Sequence, residues 1–140
     1  MYHGFFSSKF LANFLMLAIF LSTVLFYASS TGMTGATQKN GDGCICHGPT
    51  PSGNVLVAIT GPDIIEMNTS ATYQVTIIGG PAVRGGTNIA AFHGTLSASP
   101  PLQLIGDELT HISPQPFSSG NVTFTFTYTA PASMGFDTIY

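Results

Sequence analysis

Cys44, Ile45, Cys46 and His47 place two thiols and an imidazole within four residues, and these are the only cysteines of the 140-residue chain. Three kinds of chemistry suit that cluster. The thiols can add to the vinyl groups of a haem while the histidine ligates its iron, they can hold a soft or borderline metal ion, or they can oxidise to a disulfide. In a haem c site the order of residues sets both the attachment and the axial bond, and His47 directly after Cys46 meets that requirement. The single-residue spacer shortens the reach between the sulfurs, so one thioether through Cys46 is the expected attachment, with Cys44 left free.

An iron held by His47 needs a ligand on its opposite face. His111, in Glu108-Leu109-Thr110-His111, is the first candidate, read here as lying in a loop between two strands. His93 alternates with Ile89, Ala91 and Thr95, which reads as a strand residue hydrogen-bonded at the surface. Met67 and Met134 carry thioethers able to ligate iron, although methionine more often simply packs. A His/His pair lowers the potential relative to His/Met and favours electron transfer over oxygen binding.

With a bare metal, Cys44, Cys46, His47 and His111 form an S2N2 set for Zn(II) or copper, in which His47 and His111 are the nitrogen ligands. With neither group the chain is a structural or adhesive module. Its thiols then stay idle or close a strained, easily reduced bridge across one residue.

The segments that must position these groups are legible in outline. Lys9 precedes an apolar run from Phe10 to Tyr27, and Ala28-Ser29-Ser30 follows. That order predicts a signal peptide over residues 1–30, with an uncleaved membrane anchor helix as the alternative. Export sets an oxidising compartment: periplasm, outer surface or medium. Residues 31–54 are rich in Gly, Thr and Pro without apolar periodicity, which predicts a loop across one end of the domain, carrying the Cys/His motif.

From residue 55 to 140 the pattern is strand-like. Val55–Thr60 runs into Gly61-Pro62, Ala71–Ile78 into Gly79-Gly80, and Asn88–Leu96 follows Gly85-Gly86. In Asn121–Thr129 the residues Val122, Phe124, Phe126 and Tyr128 alternate with threonines, giving one buried and one wet face. The expected fold is all-β: an antiparallel β-sandwich of immunoglobulin or fibronectin type. Asp137–Tyr140 reads as the opening of a last strand, so truncation at the C-terminus is expected.

Composition narrows the function further. After residue 30 only Lys39 and Arg84 are basic, against Asp42, Asp63, Glu66, Asp107, Glu108 and Asp137. A nucleic-acid footprint is thereby excluded. No Gly-x-Ser-x-Gly elbow is present, and Asp107 and Glu108, adjacent in sequence, diverge if they lie on a strand. A second role for them is to hydrogen-bond the His111 ring and tune it as a ligand.

Thr31-Gly32-Met33-Thr34-Gly35-Ala36-Thr37, Gly43-Cys44-Ile45-Cys46-His47-Gly48, Ile59-Thr60-Gly61-Pro62, Glu108-Leu109-Thr110-His111 and Thr129-Ala130-Pro131 together resemble the choice-of-anchor V domain. That family is a secreted bacterial module related in outline to Reeler-type β-sandwiches. The resemblance covers most of residues 31–140. It implies haem c attachment at the Cys/His motif and association with the cell surface or membrane. The family pattern carries two residues between the thiols, where this chain has Ile45 alone. The combined expectation is an extracytoplasmic electron-transfer or binding module serving a redox partner protein, not an enzyme turning over an organic substrate. The alternatives are a Zn or Cu module and a surface module without cofactor.

Overall fold

A computed structural model describes residues 13–16, 31–43, 48 and 50–140. The expected signal cleavage near residue 30 and the side chains of Cys44, Cys46 and His47 lie outside the described residues. Residues 13–16 are helical and exposed, and among the described residues no helix is long and apolar enough to cross a membrane.

The rest is antiparallel β-structure in nine strands: β1 Val55–Thr60, β2 Ser70–Gly79, β3 Arg84–Gly85, β4 Asn88–Ile89, β5 Thr95–Ala98, β6 Leu102–Ile105, β7 Glu108–His111, β8 Gln115–Pro116 and β9 Asn121–Thr129. They form a four-stranded sheet in the order β1-β2-β9-β5, a three-stranded sheet in the order β4-β7-β6 and a small β3-β8 ribbon. The all-β expectation holds. β1 and β9 occupy the intervals anticipated from their β-branched and alternating residues, and β2 is longer by one residue at each end.

Both larger sheets feed one core. Val122, Phe124, Phe126 and Tyr128 of β9 are buried while the intervening threonines face outward, as the alternation requires. Val75 and Leu96 from the same sheet, and Ile89, Leu102 and Leu109 from the three-stranded sheet, complete the cluster. Outward threonines pair across strands: Thr76 with Thr123 through hydroxyls 3.0 Å apart, and Ser70 with Thr129 at 2.8 Å. These pairs suit a wet face, where cross-strand hydroxyls contribute little strain and some specificity.

Two readings need correction. The single strand expected over 88–96 is broken: β4 ends at Ile89, β5 begins at Thr95 in the other sheet, and residues 92–94 form a bend. Residues 90–92 pair with 138–140 instead, and the Asp137 carboxylate accepts the N–H groups of His93 (2.9 Å) and Gly94 (2.6 Å), which keeps them out of any ladder. His93 is therefore a bend residue and not a strand residue. The second correction concerns Glu108–His111, which is no loop. It is β7, the central strand of its sheet, hydrogen-bonded to β4 and β6 on its two edges. Its four residues are too few for a periodicity to stand out against neighbouring turns.

The chain also returns on itself at the far side of β4. Ala90 and Tyr140 exchange N–H···O bonds of 3.2 and 2.8 Å, and Phe92 N–H donates to Thr138 O at 3.0 Å. Phe124 is fully buried, so Phe124→Ala is expected to cost about 3–5 kcal/mol through lost transfer energy and a residual cavity. Thr125→Ala on the wet face is expected to stay within about 0.5 kcal/mol of the parent. Urea unfolding followed by tyrosine fluorescence checks both.

Candidate functional site

On β7, Leu109 points into the core, and by strand alternation Glu108 and Thr110 point to the opposite face. That outward face is nevertheless buried, with Glu108 only 3% exposed and Thr110 fully covered. The cover is the segment 31–40. Gly35 N–H donates to Glu108 Oε2 at 2.7 Å, Asn40 Nδ2 to Oε1 at 3.0 Å, and Asn88 Nδ2 from β4 to Oε2 at 2.9 Å. Asn88 Oδ1 in turn accepts Ala36 N–H at 3.2 Å. A buried carboxylate is costly unless its lone pairs are used, and here three donors use them.

The segment is held at both ends. Near its start, Gln103 Nε2 donates to Thr31 O at 2.9 Å, and Gly32, at φ +73°, lies so close to Thr110 that a Cβ there would collide with its hydroxyl. Further along, Lys39 Nζ bridges to Asp107 Oδ2 at 3.2 Å. Asp107 is exposed, in the turn ahead of β7, and Glu108 is buried, so the two carboxylates diverge. The Lys39 ammonium, as hydrogen-bond donor and charge, and a backbone N–H hold the Asp107 carboxyl below the usual carboxylate range. Asn40, the last residue of this clamp, precedes Cys44 by four residues.

His111 ends β7, and strand alternation puts its side chain on the Leu109 side. The ring lies against Gly86, where a Cβ would have no room. Thr87 N–H donates to His111 Nδ1 at 3.2 Å, an arrangement that puts the ring proton on Nε2. A metal at Nε2 demands the other tautomer, in which Nδ1–H donates to Thr87 O across 3.4 Å and the Thr87 N–H loses its acceptor. The expected support of His111 by Asp107 and Glu108 is absent: Glu108 binds Gly35, Asn40 and Asn88, and Asp107 binds Lys39.

A feature that sequence reading did not locate is an open cleft of about 950 Å³ between the 63–67 and 131–137 segments. Its walls bring together His93, Met67, Met134, Tyr73, Tyr128 and Phe136. Its volume lies within the range of cofactor and small-molecule sites. Asp137 builds its floor, accepting Tyr128 O–H at 2.5 Å together with the N–H groups of His93, Gly94 and Thr138. Burial pushes the Asp137 carboxyl up, but those four hydrogen bonds outweigh it and hold the group below the usual carboxylate range. Burial first, then the hydrogen bond to Asp137 and its charge, push the Tyr128 hydroxyl far above the usual phenol range. No sequence signal pairs Tyr128 with Asp137, because nothing local ties a strand residue to one nine positions later.

A smaller recess of about 270 Å³ adjoins this region, and both Lys39 and His93 line it. Among the described residues no three His, Cys, Asp or Glu side chains converge as a metal cluster. Comparison with protein-family models, with curated proteins and with solved structures finds no match.

Glu108→Ala strands three buried donors, so the variant is expected to lose about 2–4 kcal/mol and to exchange the Gly35 amide much faster in hydrogen-exchange measurements. Asp107→Asn is expected to leave that amide unchanged. The Asp137–Tyr128 bond predicts stability limits on both sides of neutrality. The lowered Asp137 carboxyl contributes stability above the ordinary carboxylate value of 3.8, lost as pH falls through its depressed value. The raised Tyr128 hydroxyl contributes below the ordinary phenol value of 10.0, and that contribution declines as pH rises beyond it. Tyr128→Phe is expected to flatten the alkaline limb of a stability–pH curve measured by urea unfolding.

Proposed function

We propose that this chain is an exported β-sandwich of immunoglobulin or fibronectin type, akin to the choice-of-anchor V domain, which carries haem c at its Cys-x-Cys-His motif and exchanges electrons with a redox partner protein outside the cytoplasm. Cys46 is the thioether residue and His47 the proximal ligand, with Cys44 beside them. The apolar run ahead of residue 30 exports the chain and gives it access to the membrane or cell surface. The observation that carries the reading is the Glu108 clamp. It invests a buried carboxylate and two asparagine side chains in immobilising the stretch that leads into the cysteines. A ligand loop held in advance loses less entropy when it closes on a cofactor.

When bound, haem supplies reversible one-electron chemistry at iron, and everything else falls to the protein. His47 would ligate the iron and Cys46 would hold the covalent tether. The 31–40 segment anchors the chain four residues ahead of Cys44. The near absence of basic side chains after residue 30 argues against a nucleic-acid partner and leaves the polar, hydroxyl-rich faces of the sheets uncommitted.

Intact mass of the exported full-length chain, combined with a haem stain and an absorption spectrum, tests the proposal. The expected outcome is a mass increment of one haem, a pyridine haemochrome shift, and loss of the low-spin spectrum in His47→Ala. Bound zinc or copper without a Soret band would transfer the motif to metal binding through Cys44, Cys46, His47 and His111. A colourless, metal-free protein would leave a structural surface module.

A further inference from the structure

The strands β1, β2, β5 and β9 contain no charged residue, and β1, Val55-Leu56-Val57-Ala58-Ile59-Thr60, is the most apolar of them. It forms an edge of its sheet: among the described residues its one strand partner is β2, in the unbroken register from Val55↔Gly79 to Thr60↔Gln74. Edge strands ordinarily turn other chains away by carrying a charge, a proline or a bulge, or by being very short. β1 has six residues and none of these devices, whereas β5 at the opposite edge has only four.

The backbone of β1 is set to take a further strand. Gly79 N–H donates to Gly120 O at 3.0 Å, so the polar groups of Gly79 turn toward β9 and away from β1. In an antiparallel ladder the N–H and C=O of one residue point the same way, and this direction alternates along the strand. Val55 is the partner of Gly79, so Val55, Val57 and Ile59 turn their polar groups away from β2, to the open edge. Val55 N–H is taken there by Ser52 O at 3.2 Å, while Val57 and Ile59 each present an N–H and a C=O that pair with no described residue outside the sheet.

The side chains follow the same logic. Cross-strand partners share a face, so Val57 and Ile59 extend the core face of Ile77 and Val75. They are left uncovered, Val57 59% and Ile59 43% exposed. On the other face Leu56, 61% exposed, stands beside the exposed Ile78.

We infer that β1 is a dimerisation edge, and that the strand it takes is β1 of a second copy, paired antiparallel about a two-fold axis at Ala58. In that register Val57 meets Ile59 of the second copy, and each such pair exchanges both of its N–H···O bonds, which uses every free group of the two residues. The core faces of the two copies fall on one side, so the strips of Val55, Val57 and Ile59 run together. A second copy is favoured over a foreign strand because β1 meets its own requirements: polar groups at matching intervals, apolar side chains and no charge. The acidic residue nearest in sequence is Asp63, just past the C-terminal end of β1. Antiparallel pairing sends the two Asp63 carboxylates to opposite ends of the seam, so like charges do not meet. Each copy gives the same patch, and the contact closes at two.

Sedimentation equilibrium of the exported chain from about 1 to 100 μM tests this, with circular dichroism as the control for folding. The parent is expected to pass from monomer to dimer as concentration rises. Val57→Lys places a charge in the seam, and Ile59→Pro removes an outward N–H that the ladder with β2 does not use; each is expected to raise the dissociation constant at least about tenfold. Thr125→Lys adds the same charge to the exposed face of the inner strand β9 and is expected to dimerise like the parent. In hydrogen exchange on the parent, the Val57 and Ile59 amides are expected to slow as concentration rises, with those of Leu56 and Ala58 protected throughout. A parent that stays monomeric at the highest concentration, assembles beyond two copies, or dimerises equally well with Val57→Lys and Ile59→Pro overturns the assignment. Protection of the Val57 and Ile59 amides only when a foreign apolar peptide is added overturns it too, and gives the edge to another strand.

Discussion

The Glu108 carboxylate is the constraint on which the placement of residues 31–40 depends. It sits on the outward face of a sheet, where a charged side chain would ordinarily point into water, yet it is almost completely covered. Such a group is tolerated only when its oxygens are hydrogen-bonded, and Gly35, Asn40 and Asn88 provide the donors. The partners come from two places far apart in sequence, so the interaction does topological work. It attaches a segment with no strand of its own to the middle of a three-stranded sheet. Without it, residues 31–40 would rest on the contacts of Thr31 with Gln103, Ala36 with Asn88 and Lys39 with Asp107, and the segment would be less ordered.

β7 thereby becomes a two-sided element. Leu109 commits one face to the hydrophobic core, where it meets side chains of β9, while Glu108 and Thr110 commit the other to the N-terminal segment. A strand only four residues long is stable here because its neighbours β4 and β6 flank it and both faces are covered. Thr110 adds to this by donating its hydroxyl to Thr87 O at 3.1 Å, linking the connection before β4 to the strand beside it.

Asp137 is the counterpart at the other side of the fold. Its carboxylate gathers Tyr128 from the core strand and the bend at residues 93–94, so one side chain holds the turn that leads into β5 and lines the large cleft. The two acidic hubs differ in what they hold. Glu108 fastens the segment that leads into the thiols, whereas Asp137 fastens the bend that presents the His93 imidazole. Lys39 and His93 on the walls of one recess mark where the two territories meet.

Much of the fold was legible in the residues themselves. The Val/Thr/Phe alternation of 121–129 and the β-branched runs at 55–60 and 71–78 dictate strands, because a period of two with one apolar face can bury itself only as part of a sheet. The Cys44, Cys46 and His47 cluster is equally visible, since its chemistry depends on spacing along the chain. Local pattern could not reveal that 88–96 breaks into two strands, that 108–111 is a central strand, or that His93 shares a cleft with Met67 and Met134. Those outcomes rest on hydrogen bonds between residues as distant as Gly35 and Glu108 or Gly94 and Asp137, formed only when folding closes the intervening chain. Sequence determined which side chains this protein has for chemistry and which segments must be strands. Tertiary structure decided which of its histidines is walled in and which stands open, because long-range burial and donor satisfaction, not periodicity, set those environments.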